Sequence, residues 1–102
     1  MNTPIDKDIF MKQNDKLLVN MEEFYDNLTI LNNGQECHRE KSKLILENCI
    51  EKCEEALNNN LIVVFKKNGI GKREFKSLDE FKKWLYNDCN ERLGIKNVKY
   101  NL

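Results

Sequence analysis

Residues 61–85 read LIVVFKKNGIGKREFKSLDEFKKWL, and this stretch decides the fold. Leu61, Ile62, Val63, Val64 and Phe65 are five apolar residues rich in β-branched and aromatic types, which suits a strand buried near its start. Lys66 and Lys67 carry it into solvent. Asn68-Gly69 is the strongest short hairpin signal, because both residues accept positive φ cheaply. Ile70-Gly71 widens the possible loop and leaves the register open. A three-residue loop pairs Val63 with Phe75 and completes an apolar face of Leu61, Val63, Phe65 and Phe75. A two- or four-residue loop sets Phe75 against Ile62 and Val64 instead, since a slip of one residue exchanges the faces. The first pairing is preferred.

Ser77-Leu-Asp-Glu80 forms a capping-box pattern that starts a helix. Leu78, Phe81, Trp84, Leu85, Cys89 and Leu93 fall on one stripe of it, and Gly94 is the expected C-terminal stop.

Working outward, Thr3-Pro4 can start a helix in which Ile5, Ile9 and Phe10 share a face, with Asn14-Asp15 interrupting it. Leu17-Leu18-Val19 is short enough to be either a bridge between helices or a brief strand. Asn20 is a second N-cap, with Glu22 and Glu23 in the first turn and Met21, Phe24, Tyr25, Leu28 and Leu31 at helical spacing. Asn32-Asn33-Gly34 ends that helix. A longer one starts near Gln35 or Glu40 and runs to Leu57, with Leu44, Ile45, Cys49, Ile50, Cys53, Ala56 and Leu57 as its apolar stripe. Glu47, Glu51, Lys52, Glu54 and Glu55 form its wet side. Val98, Tyr100 and Leu102 alternate with polar residues, which suggests a strand beside the hairpin. The expected order is α-α-α-β-β-α-β: three N-terminal helices, a β-hairpin, an amphipathic helix and a short C-terminal strand. This is a single α+β domain over residues 1–102, a small sheet covered by helices.

Composition narrows the function. Hydrophobic residues are 40% of the chain and charged residues 33%, as in a water-exposed globule, and no apolar run approaches the ~18 residues of a membrane span. The first ten residues lack the basic and apolar regions of a signal peptide, so a cytoplasmic chain with reduced cysteines is expected. Charge is split: residues 1–60 hold 7 Lys/Arg against 12 Asp/Glu, and residues 61–102 hold 10 against 5, or −5 and +5. The 15 Asn and 14 Lys against two Ser and two Thr are an AT-rich coding bias. In composition the chain resembles small proteins of phages and mobile elements, which implies a short binding protein more than an enzyme.

The chemical constellations are sparse. Cys49 and Cys53 are four apart on a helix, and with Cys37, His38 or Cys89 they would make up a zinc ligand set. No C-x-x-C knuckle is present, both lie on the apolar stripe, and buried Cys behaves as a small hydrophobe, so no metal is expected. Cys37 and His38 are adjacent and do not face each other on a helix. Ser77 is occupied as a cap. The segment Asn68-Gly-Ile-Gly-Lys72 departs from a phosphate-binding loop, since Arg73 stands where Ser or Thr is needed. No catalytic motif, cofactor or nucleotide site is expected.

The signal with functional content is the basic hairpin: Lys66, Lys67, Lys72, Arg73 and Lys76, with Ile70 as an apolar tip. Edge lysines also serve simply to keep a hairpin from aggregating. The expected function is a non-enzymatic binding or inhibitor protein, an anti-defence factor of a mobile element, that occludes a site on a larger protein or nucleoprotein. The alternative is a DNA- or RNA-binding regulator using the same hairpin, although a net charge of zero and pI near 6.6 are unlike a dedicated nucleic-acid binder. A homodimer through Tyr86, Tyr100 and the tail strand is a further expectation.

Overall fold

A computed structural model describes residues 9–87 of the chain. The elements run β1 (Phe10–Gln13), β2 (Lys16–Asn20), α1 (Met21–Asn33), α2 (Glu36–Asn58), β3 (Ile62–Lys67), β4 (Ile70–Phe75) and α3 (Leu78–Trp84), with a π-type turn over residues 85–87. The class is α+β, three helices with a four-stranded sheet. The sheet order is β1-β2-β3-β4: two antiparallel hairpins joined edge to edge by a parallel pairing of β2 with β3. The helical pair α1–α2 is the crossover that a parallel connection requires.

The order β-β-α-α-β-β-α corrects the expected start. Phe10 belongs to a strand, and Asn14-Asp15 is a hairpin turn, with Gln13 opposite Lys16. Asn14 sits in the left-handed region at φ 49°, which Asn tolerates well. Leu17-Leu18-Val19 resolves as strand because both its edges are paired. The expected helix start at Thr3-Pro4 and the expected tail strand lie outside the described residues, as do Cys89, Leu93 and Gly94.

The helix limits follow their sequence signals. The Asn20 side chain accepts from the Glu23 backbone N–H at 3.2 Å, and Gly34 closes α1 by donating to the Ile30 carbonyl at 2.7 Å. The Ser77 hydroxyl accepts from the Glu80 N–H at 3.2 Å. It also donates to the Glu80 carboxylate at 3.3 Å, so the carboxylate reaches the hydroxyl where a capping box would take the backbone.

All three helices contribute to one core. Leu17, Val19, Val63, Phe65 and Phe75 from the sheet meet Phe24 and Leu28 of α1, Leu46, Cys49, Ile50 and Cys53 of α2, and Phe81 and Trp84 of α3. On α2 the stripe is turned from the expected one. Leu46 and Ser42 are buried whereas Leu44 is exposed, because an inner row of 42, 46, 49, 53 and 56 follows the helical period better than one beginning at Leu44.

The preferred pairing Val63↔Phe75 is present, reached by a different device. The loop is the two-residue turn Asn68-Gly69, both at positive φ (54° and 77°), as in a type I′ turn. Lys67 pairs with Ile70 and Lys66 with Gly71, but Phe65 pairs with Arg73. Lys72 is therefore the extra residue of a β-bulge, and it shifts the register by one so that Phe75 enters the core.

Candidate functional site

The six residues of the basic hairpin do not share a face. Lys66 follows Val64 on the sheet face away from the helices, half-buried between Asn20 of β2 and Gly71 of β4. Lys67 ends β3 and is exposed. Ile70 opens β4 opposite it, 59% exposed at the tip. Lys72 is unpaired in the bulge, and Lys76 stands exposed between β4 and α3. Arg73 pairs with Phe65 on the helix side. Its guanidinium lies 5.4 Å from the Phe75 ring centroid and 5.8 Å from that of Trp84. The cations thus form a rim around the hairpin.

Among the described residues, no carboxylate lies within salt-bridge distance of Lys66, Lys67, Lys72 or Lys76. On the acidic wet side of α2, Glu55 pairs with Lys52 at 3.9 Å. Arg73 differs, being held over two aromatic rings. It borders a shallow hollow of about 420 Å³ that also holds Glu74, Glu80 and Lys83, a mixture of signs.

The base of the hairpin is stiff. Phe65 packs against Phe24, Phe75, Phe81 and Trp84 with ring centroids 4.9 to 6.5 Å apart. Edge-to-face and tilted aromatic pairs of this kind add about 0.5–1.5 kcal/mol each beyond the area they bury. A finger anchored this way projects its tip without bending at its root.

The structure also exposes residues that the reading of the first segment as helix concealed. Pairing aligns Met11, Leu18 and Val64 side by side across β1, β2 and β3 on the face away from the helices. Met11 is 59% exposed and Leu18 partly so, while Val64 is buried, 5% exposed, apart from the main core cluster. A cleft of about 370 Å³ opens beside them, lined by Phe10, Met11, Leu18, Asn20, Lys66 and the Asn68-Gly69 turn, among others. The signal that could have shown it is Asn14-Asp15, a two-residue turn between short apolar-bearing runs.

The cysteines occupy different environments. Cys49 and Cys53 are in the core and Cys37 is exposed. Twelve residues of helix separate Cys37 from Cys49, about 18 Å of rise. A hydrogen bond with Cys49, then burial, pushes the Cys53 thiol up from its ordinary range. No group of three or more metal-ligating side chains converges among the described residues. No described helix is long and apolar enough to cross a membrane. Tyr86 is partly exposed, and Tyr100 lies outside the described residues.

Compared with known protein families, curated proteins and solved structures, the chain matches none.

Proposed function

We propose that this chain is a small non-enzymatic binding protein that inhibits by occupying a site on a larger protein or nucleoprotein. The observation that carries this reading is the hairpin of residues 66–76: four lysines without an acidic partner among the described residues, spread from tip to base, with an exposed Ile70 opposite Lys67 at the tip and an aromatic root. Occlusion needs no bond-making, only a rigid surface of the right shape and charge. Unpaired lysines raise the rate of encounter with an acidic surface, while burial of an apolar tip slows dissociation. A preformed finger loses little conformational entropy on docking.

The test is co-purification from a lysate of the source cells. The wild-type chain should retain one protein at stoichiometric yield, and Lys67→Glu with Lys72→Glu should lose it. Lys43→Glu, an exposed charge reversal on α2, should not. Failure to retain any reproducible partner counts against the proposal.

The same unpaired lysines favour a second reading, a hairpin laid on nucleic acid. It makes a quantitative demand. If the four lysines neutralise four phosphates of duplex DNA, log K must fall against log salt with a slope of about −3.6. A flat response removes this reading.

A further inference from the structure

The open face of the sheet is patterned across its strands as well as along them. In one row Lys16 stands beside Ile62, in the next Leu18 beside Val64, and in the third Asn20 beside Lys66. Met11 extends the middle row on β1. The accessible part of this apolar row is Met11 and Leu18, since Val64 is only 5% exposed, and Lys16 and Lys66 lie two residues along the strands on either side, about 7 Å away. The cleft of about 370 Å³ lies where the apolar row meets Lys66, and no carboxylate lines it among the described residues. Among the described residues, the open-face acid closest in register is Glu74, on the far side of Val64. Beside Lys66, β4 presents Gly71, which adds no side chain to cover the lysine stem.

We infer that this face receives an acidic segment of the partner protein, one whose large apolar side chain is flanked by Asp or Glu. The apolar side chain enters the cleft against Met11 and Leu18, and the carboxylates meet Lys66 and Lys16. A lysine on both sides of an apolar band matches an acid–apolar–acid segment. Nucleic acid would set phosphates against the lysines but leave Met11 and Leu18 facing a charged backbone. The inference rests on the reading of the chain as a protein-binding module and names the chemistry of what it binds. Lys66 joins the cleft to the hairpin, so one partner can engage both.

The experiment is selection of a random displayed-peptide library on the full chain, followed by fluorescence anisotropy of the enriched peptides. Enriched sequences should carry Asp or Glu on both sides of Leu, Ile, Phe or Met. Lys66→Glu and Lys16→Glu should each weaken them about tenfold or more, and Met11→Asp should do the same, while Lys43→Glu on α2 leaves them unchanged. Trp84 fluorescence verifies that each variant is folded. Several outcomes overturn the inference: no enrichment, enriched peptides without acids, or binding indifferent to Lys66 and Met11. Self-association abolished by Met11→Asp, or preference for an oligothymidylate probe, overturns it as well by naming another occupant. The broader proposal fails separately. If acidic peptides bind the cleft but Lys67→Glu with Lys72→Glu leaves co-purification intact, the hairpin is not the contact and the cleft stands alone.

Discussion

The ring of Phe65 meets the indole of Trp84 at 63°, centroids 4.9 Å apart. One residue is near the centre of the sheet, the other on the last described helix, and both are buried. Their contact closes the path from the hairpin root to α3, with Phe24 of α1 against both rings. Phe65→Ala should cost about 3–5 kcal/mol, a large part of the total stability of about 5–15 kcal/mol usual for a native domain. Trp84 is the only tryptophan, so its emission reports this site alone. Urea titration should show a lowered midpoint and a red-shifted native spectrum.

Arg73 and Lys72 are sequence neighbours with different physical roles. Arg73 covers Phe75 and Trp84, a cation–π arrangement contributing about 0.5–1 kcal/mol at an exposed position. Arg73→Ala should lower stability by that amount and change Trp84 emission. Lys72→Ala should stay within about 0.5 kcal/mol of the parent, since the bulged side chain is exposed and makes no ion pair among the described residues. Equal losses from the two substitutions would contradict this division.

Two glycines are required for opposite reasons. Gly69 has open space around a Cβ position but sits at φ +77°, so Gly69→Ala meets backbone strain of about 1 kcal/mol. Gly34 has an ordinary φ of −81°, yet a Cβ there would lie 2.6 Å from the Ile30 carbonyl oxygen. Gly34→Ala should therefore cost more than Gly69→Ala, about 1–3 kcal/mol, by forcing the end of α1 apart. Paired urea titrations give the order.

Ser42 is fully buried on α2 and its hydroxyl has no hydrogen-bond partner among the described residues. On α1, the buried Asn27 donates to the Glu23 carbonyl at 2.9 Å while its own side-chain oxygen has no partner among the described residues. An unmet buried polar atom costs about 1–3 kcal/mol. Ser42→Ala keeps the shape and removes the atom, so its denaturation midpoint should equal or exceed that of the parent. A drop of 1 kcal/mol or more would show that the hydroxyl has an interaction in solution.

The Cys49–Cys53 pair makes stability sensitive to alkali. The Cys53 thiol is raised in the folded state, so the native chain holds its proton where an unfolded chain releases it. The contribution is complete below the unfolded thiol value of about 8.5 and is lost as pH rises through the higher folded value. Between pH 8 and 10 the parent should lose stability more steeply than Cys53→Ala. In a Cys89→Ser background at pH 8, a thiol reagent should label exposed Cys37 rapidly and the buried pair only on unfolding.

Wherever a signal was local, the sequence by itself determined the outcome. Asn20 and Ser77 cap helices because their side chains reach a backbone N–H three residues on, and Asn68-Gly69 turns the chain because both residues tolerate positive φ. The cationic composition of the hairpin was legible for the same reason. Tertiary structure decided what depends on distant partners. Residues 10–20 are strands because β3 offers Leu17 and Leu18 an edge to pair with, a contact more than forty residues away in sequence. The bulge at Lys72 arises because the Asn68-Gly69 turn sets one register and burial of Phe75 demands another. The apolar row of Met11, Leu18 and Val64 exists only once three strands lie side by side; the Asn14-Asp15 turn is a local sign of the first hairpin, but nothing local places β3 beside it.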